Sequence, residues 1–164
     1  MTRITRPGWT AYGLAMIVLL LDQASKFWIL NIFNLPARLT VPVGGPFSLT
    51  MVWNQGVSFG LLRAEQDLTR WLLVIFSLVV AGALIFWASK AQRSLQAVAL
   101  GLVIGGAIGN AIDRARFGAV VDFLDFSRLH FPWVFNIADA GITVGVGLLL
   151  LDSLLSERAD QEPR

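Results

Sequence analysis

The sequence predicts an α-helical membrane protein with four transmembrane helices and a small β-hairpin outside the bilayer. Hydrophobic residues make up 55% of the chain and charged residues only 15%, and the mean hydropathy is +0.66. Soluble domains carry roughly 25% charged residues, so this balance indicates a chain embedded in lipid. Four apolar stretches are long enough to cross a hydrocarbon core of about 30 Å as helices. They cover residues 9–30, 71–88, 95–112 and 134–155.

The composition also restricts the kinds of site that the chain can build. The absence of cysteine excludes disulfides, thiolate metal sites and a cysteine nucleophile. The single histidine, His130, cannot supply a multi-histidine zinc site. A net charge of +2, without basic residues interleaved with aromatic ones, argues against a nucleic-acid partner. We therefore expect one membrane-embedded domain over residues 1–164, without a metal or another cofactor.

Four spans place both chain termini on one side of the membrane. Two long connections, residues 31–70 and 113–133, then lie together on the other side. The numbers of basic residues on the two sides are nearly equal. However, the short connection holding Lys90 and Arg93 is densely basic, as are the tails, which favours cytoplasmic termini. The long connections are accordingly expected outside the cytoplasm.

The two long connections contain β-prone segments. Two such runs within residues 38–53 flank a Gly44-Gly45-Pro46 turn, which predicts a hairpin. In the second connection, residues 120–126 form a short, largely apolar segment. This segment is expected either to lie against the hairpin or to dip into the membrane interface.

Polar residues near the spans identify candidate sites, because an ionisable residue inside a span costs about 2.5–3.5 kcal/mol on insertion scales. Asp22 and Lys26 are four residues apart on one helical face, so an internal ion pair is the simplest interpretation. Asn54 offers hydrogen-bond donors and acceptors, and Gly56 permits unusual backbone angles, although a turn before a helix explains that segment equally well.

The end of the third span carries a second polar group. Asn110 lies one helical turn from both Asp113 and Arg114. Arg114 can form a two-pronged hydrogen bond to a carboxylate. Helix capping combined with an ion pair would account for these residues as well as a functional site would. The glycines at 101, 105 and 109 are interpreted as close helix packing in lipid.

Two further acids have no local partner. Asp139 is predicted about 9 Å inside a fourth span beginning near Trp133, with Asn136 one turn above it and no Lys or Arg three or four residues away. Asp122 is surrounded by β-branched and aromatic neighbours. Two carboxyls in proximity share a proton, which suits the hydrolysis of a peptide by water. From spacing alone, a proton relay and a carboxylate-held cation remain equally open.

Taken together, these segments resemble the lipoprotein signal peptidase (signal peptidase II) family over roughly residues 11–152. The similarity rests on five blocks that occur in family order: Asp22-Gln-Ala-Ser-Lys26, Asn54-Gln-Gly-Val-Ser-Phe-Gly60, Gly105-Gly-Ala-Ile-Gly-Asn-Ala-Ile-Asp-Arg114, Val120-Val-Asp-Phe123 and Phe135-Asn-Ile-Ala-Asp139. Each block alone is a weak signal. Five blocks on the expected spans and connections are specific.

The resemblance implies a monomeric aspartic endopeptidase of the bacterial inner membrane, in contact with membrane lipid. Its substrate would be a diacylglyceryl-modified prolipoprotein, cut before the lipidated cysteine. The implied fold has four transmembrane helices, a small periplasmic β-sheet and a short outer helix. Asp122 and Asp139 would be the catalytic pair. The residues implied to line or brace the site are Asp22, Asn54, Gly56, Asn110, Asp113, Arg114, Asn136 and Ala138.

Three other functions were weighed against this interpretation. A proton-coupled transporter would use the same acids as a relay, but the chain shows no inverted repeat. A lipid phosphotransferase would hold magnesium between Asp113 and Asp122. A purely structural assembly protein would tolerate the loss of either Asp122 or Asp139.

Overall fold

A computed structural model describes residues 3–56, 66–129 and 133–161. Within these residues, four helices are long and apolar enough to cross a membrane, as predicted. The helices are α1 (Arg6–Phe27), α2 (Leu35–Arg38, a single turn), α3 (Gln66–Ala88), α4 (Ser94–Phe117) and α5 (Ile137–Gln161). A small antiparallel sheet lies at one end of the four long helices, which confirms the predicted fold class.

The first helix begins earlier than the hydropathy pattern indicated. The hydroxyl of Thr5 accepts a hydrogen bond from the Gly8 amide and so caps α1, and Pro7 occupies the first turn, where it needs no amide partner. At its other end α1 continues as a π-helical turn, Trp28–Ile32. The helix therefore extends a few residues beyond the predicted span at both ends.

Helix α4 is the centre of the bundle and packs against α1, α3 and α5. Its glycines allow this contact, as the sequence predicted. A Cβ atom at Gly101 would lie 2.6 Å from the Ala11 carbonyl oxygen, and one at Gly105 would lie 2.5 Å from that of Ala15. The backbones of α1 and α4 consequently approach more closely than larger side chains would permit.

Two predicted span boundaries were wrong in ways that affect the site. Helix α4 continues to Phe117 and ends at Gly118, whose φ of +78° lies in the left-handed region typical of helix ends. Asp113 and Arg114 are therefore inside a helix, and neither caps it. Helix α5 begins only at Ile137, because the preceding residues Val134–Phe135 pair with a strand.

The sheet has four strands in the order β1-β2-β3-β4. Strands β1 (Thr40–Gly44) and β2 (Phe47–Asn54) form the predicted hairpin. The segment that was expected either to lie against the hairpin or to dip into the interface is strand β3 (Val120–Asp125), which pairs with β2. The short strand β4 (Val134–Phe135) completes the sheet. Among the described residues outside the long helices, the helical turns are the π-helical turn Trp28–Ile32, α2 and the 3-10 turn Ser127–Leu129.

The two faces of β3 have different surroundings. Val121 and Phe123 are buried on one face, in an apolar cluster with Ile29 and Leu35. Successive side chains of a strand point to opposite faces, so Asp122 points away from this cluster. The alternation therefore directs the carboxyl of Asp122 toward the polar residues of the helices.

Candidate active site

Polar side chains from five elements meet where the long helices end and the sheet begins. The site lies at the end of the bundle that contains the last turns of α1 and α4 and the first turn of α5. The sheet contributes Asp122 from β3 and Asn54 from the end of β2. The acids and amides that are distant in sequence thus come together at the boundary between bundle and sheet.

Asp122 is 1% exposed and has an amide on each carboxylate oxygen. Asn136 donates to its Oδ1 at 2.6 Å, and Asn54 donates to its Oδ2 at 2.9 Å. The Asn54 side chain also accepts from the backbone amide of Gly56 at 2.9 Å. Gly56 has a φ of +80°, which a residue with a Cβ rarely adopts. This turn holds Asn54 against the carboxylate.

Asp139 lies in the first turn of α5, which corrects the predicted depth of about 9 Å inside the helix. Its backbone amide donates to the side-chain oxygen of Asn136 at 2.9 Å. Asn136 thus satisfies a free amide at the helix start, as N-terminal capping residues do. The Asp139 carboxylate accepts from Asn110 at 2.7 Å and is partly exposed, in contrast to Asp122.

An amide chain connects the two acids. Asn136 donates to Asp122 and also lies within 3.2 Å of the Asn110 side-chain oxygen, while Asn110 donates to Asp139. The two carboxyls also interact electrostatically. Asp122 and Asp139 are 17 residues apart in the sequence. The structure brings them together, as the sequence predicted.

A buried lysine lies beside this pair. Lys26 is 2.8 Å from Asp22, which confirms the predicted ion pair, and it is also 2.7 Å from Asp113 on α4. All three residues are at most 2% exposed. The ion pair predicted within one helix is thus part of a three-residue cluster, which we call the lysine clamp (Asp22, Lys26 and Asp113).

The clamp contacts the backbone beside each acid of the pair. The Oδ1 atom of Asp22 accepts from the amide of Ala138 at 3.0 Å, one residue before Asp139. The Oδ2 atom of Asp113 accepts from the amide of Val121 at 3.1 Å, one residue before Asp122. Ala138 thus contributes its backbone to the site. Lys26 forms ion pairs with both clamp carboxylates. These carboxylates in turn hold the backbone segments that carry Asp122 and Asp139 through hydrogen bonds.

Two residues of the site, Lys26 and Gln23, were not among those predicted from the sequence. Lys26 was predicted only as the partner of Asp22. The Gln23 amide lies within 3.1 Å of Asp22 and 3.0 Å of Asp113, so it joins the clamp. Both omitted residues belong to the block that begins at Asp22. Their polar character inside an apolar helix was a signal that could have identified them.

For Arg114 the sequence left two interpretations open, a structural ion pair and a functional role. The sequence suggested a two-pronged hydrogen bond to a carboxylate, yet within the described part of the chain no carboxylate lies at ion-pair distance from its guanidinium. The clamp explains the difference, because Lys26 already pairs with Asp113, the nearest acid in sequence. The guanidinium lies instead beside Gly56, where a Cβ atom would be 3.4 Å from its Nη2.

Among the residues that the structure describes, the site contains more acids than cations. Four carboxyl groups belong to Asp22, Asp113, Asp122 and Asp139, and the nearby cations are Lys26 and Arg114. Burial raises the pKa of Asp122 to about 6. Repulsion from Asp139 adds to this rise, while the hydrogen bonds from Asn54 and Asn136 oppose it. Asp122 therefore holds a proton up to about pH 6, well above the ordinary range of an aspartic acid.

We expect a carboxyl group that titrates near pH 6. As pH rises from 3.8, the ordinary value, to about 6, the folded state keeps the Asp122 proton that the unfolded state has lost. Folding stability should therefore fall across this window and level off above it. Difference infrared spectroscopy of the protonated-carboxyl band should detect a titration near pH 6, which Asp122→Asn removes.

Asp125 on the same strand is the matched control. Hydrogen bonds from Thr50 and Ser127 lower its pKa, so Asp125→Asn should leave the band near pH 6 unchanged. A wild-type spectrum in which every carboxyl titrates near pH 4 or below would contradict the expectation.

Two parts of the sequence prediction lie outside the described residues. They are His130 and the final four residues of the block Asn54–Gly60. The remaining predicted site residues, apart from Gly56, belong to the acid pair or the lysine clamp or interact directly with one of them. Gly56 is connected to the acid pair through its hydrogen bond to Asn54.

A family model and individual related proteins both indicate the same family for this chain. The sequence model of a family described as signal peptidase (SPase) II matches residues 14–155. A lipoprotein signal peptidase of Caulobacter vibrioides is 59% identical over 94% of this chain and 92% of its own length. One of a Methylobacterium species is 44% identical over 93% of each chain.

Solved structures agree with the fold. Two are bacterial membrane enzymes determined by the in meso method, at 2.3 and 1.9 Å resolution. The first has a TM-score of 0.76 and 27% identity, with 100% of this chain and 98% of the other covered. The second has the same TM-score and 30% identity, with coverage of 94% and 97%.

Proposed function

This chain belongs to the signal peptidase II family, and from that premise we propose that it is an aspartic endopeptidase that removes signal peptides from diacylglyceryl-modified prolipoproteins. The observation that carries the aspartic mechanism is the linkage of Asp122 to Asp139 through two asparagine amides. The proposed cut lies before the lipidated cysteine. The transporter alternative receives no support from the relatives, which are named as peptidases.

The proposed reaction uses one water molecule and the acid pair. The ionised carboxyl takes a proton from the water, whose oxygen attacks the carbonyl carbon, while the protonated carboxyl polarises the carbonyl oxygen. The tetrahedral intermediate then collapses as the nitrogen of the leaving amine receives a proton. In the proposed reaction the two interacting carboxyls, Asp122 and Asp139, share the roles of acid and base.

The location of the pair suits a substrate that enters from the membrane. A signal peptide in a helix has its carbonyl groups occupied by hydrogen bonds, so the segment to be cut must become extended. The acids lie where the apolar helices meet an antiparallel sheet, and extended chains are held by such sheets. The substrate's signal helix would lie among the spans, with its lipid chains in the outer leaflet.

The proposed orientation follows from the basic residues. Lys90 and Arg93 occupy the short connection between α3 and α4, at the end of the bundle opposite to the sheet. With that end in the cytoplasm, the sheet and the acid pair lie at the periplasmic face of the bacterial inner membrane. We propose that the enzyme acts there as a monomer in contact with membrane lipid.

The test is cleavage by the purified protein in lipid vesicles. A prolipoprotein with a diacylglyceryl-modified cysteine is the substrate, and the same chain with an unmodified cysteine is the control. Mass spectrometry should find a new amino terminus at the lipidated cysteine only with the modified chain. Equal cleavage of both chains would refute the lipid requirement, and no cleavage of either would refute the proposed function.

A further inference from the structure

The guanidinium of Arg114 is an unusual group in this site. Its Nε atom is the only buried side-chain nitrogen or oxygen without a hydrogen-bond partner in the part of the chain that the structure describes. Burial of a charged donor without a partner costs more than burial of a neutral one. A polar group left in this condition at a site calls for an explanation, such as a partner that arrives with the substrate.

The electrostatic surroundings of Arg114 indicate which partner would fit. Its guanidinium interacts with the carboxylates of Asp139, Asp122 and Asp113. None of these approaches to within the 4.0 Å of an ion pair. The guanidinium is thus separated by more than 4.0 Å from each carboxylate of the acid pair, although it interacts with both electrostatically.

The backbone at Gly56 borders the guanidinium. A Cβ atom at Gly56 would lie 3.4 Å from Arg114 Nη2 and 2.9 Å from the Leu73 side chain. Gly56 also donates to Asn54, which in turn donates to Asp122. The turn that positions Asn54 against Asp122 therefore also borders the guanidinium of Arg114. The same turn thus lies next to both the cation and the amide that contacts the acid.

We propose that Arg114 donates a hydrogen bond to the oxygen of the scissile carbonyl and stabilises the negative charge that develops there in the transition state. This role rests on the proposed peptidase function. As the water oxygen bonds to the carbonyl carbon, one water proton passes to the ionised carboxyl and the carbonyl electron pair moves to oxygen. When the C–N bond breaks, the electron pair returns and the amine nitrogen takes a proton from the acid pair.

The role predicts a loss that is confined to the transition state. Arg114→Gln should lower kcat by about 10²–10³-fold, as the removal of one oxyanion donor does elsewhere. The KM should change by less than about threefold, because the interaction is weak in the ground state. Arg114→Lys retains the charge without the planar fork, and should recover part of kcat.

Two inhibitors separate this role from a structural one. A lipopeptide with a phosphinate at the scissile position carries an anionic oxygen where the charge develops, and its N-methyl amide counterpart mimics the ground state. Arg114→Gln should weaken binding of the phosphinate by the same factor as kcat/KM, and leave that of the N-methyl amide nearly unchanged. The control is Arg116→Gln, which removes an exposed arginine two residues further along α4.

Equal loss of affinity for both inhibitors would overturn the proposal, since it would indicate a distorted site. Retention of kcat within about threefold in Arg114→Gln would also overturn it, because one oxyanion donor contributes about 10²-fold or more. If Arg114→Gln does not fold, the affinities of Arg114→Lys for the phosphinate and for the N-methyl amide are compared instead. A loss confined to the phosphinate supports the proposal, and an equal loss for both inhibitors overturns it. A wild-type protein without cleavage activity would refute the peptidase function itself, which is a distinguishable result.

Discussion

Replacement of either Asp122 or Asp139 by asparagine is expected to lower the rate of prolipoprotein cleavage by about 10²–10⁴-fold, the usual contribution of a general acid or base. Asparagine preserves the size of each side chain but can neither take a proton from water nor deliver one to the amine. The rate should be measured in vesicles under single-turnover conditions, which separate the chemical step from product release.

The control for this prediction lies on the same strand. Asp125 accepts hydrogen bonds from Thr50 and Ser127, and no hydrogen bond joins it to the pair within the described residues, so Asp125→Asn should cleave at close to the wild-type rate. A chelator should leave the wild-type rate unchanged, since the proposed mechanism uses no metal. Near-normal cleavage by a well-folded Asp122→Asn or Asp139→Asn variant would refute the assignment.

Replacement of Lys26 by methionine is expected to have the largest effect on stability. Lys26 is the cation shared by the buried carboxylates of Asp22 and Asp113. Removing one partner from a buried ion pair costs about 3–5 kcal/mol, because the remaining charge is left without compensation. The free energy of unfolding in mixed micelles, titrated with a denaturing detergent, should fall by this amount.

Activity should fall together with stability in this variant. The clamp carboxylates hold the amides of Val121 and Ala138, the residues that precede the two acids. Lys90→Met is the matched control, since Lys90 is exposed at the other end of the bundle and lies over the Phe86 ring. An equal loss of stability in both variants, or an unchanged Lys26→Met protein, would disprove the role of the clamp.

The helices could be predicted from the sequence because membrane insertion depends on local composition. A run of about 20 apolar residues forms a helix in lipid whatever surrounds it, since each backbone group must find a partner inside the segment. The ends of the helices were less accurately predicted. The end of α4 depends on the backbone conformation at Gly118, and the start of α5 depends on pairing of Val134–Phe135 with another strand.

The site was predicted in part. The pair Asp22–Lys26 follows from a four-residue spacing, which is a property of the helix itself. The third member, Asp113, is 87 residues from Lys26, and no spacing indicates that they meet. For the same reason the sequence left open whether Arg114 pairs with a carboxylate, because Lys26 reaches Asp113 only through the packing of the helices.

The sequence by itself determined that the chain crosses a membrane four times and that two acids, Asp122 and Asp139, lack any local partner. Both conclusions rest on short-range physics: the cost of apolar side chains in water and of unpaired charge in lipid. The tertiary structure decided which side chains fill the space between those acids. Asn136 and Asn110 join them, while Lys26 braces the neighbouring backbone. These contacts depend on the close approach of α1, α4 and α5, a property of the packed bundle that no single segment contains.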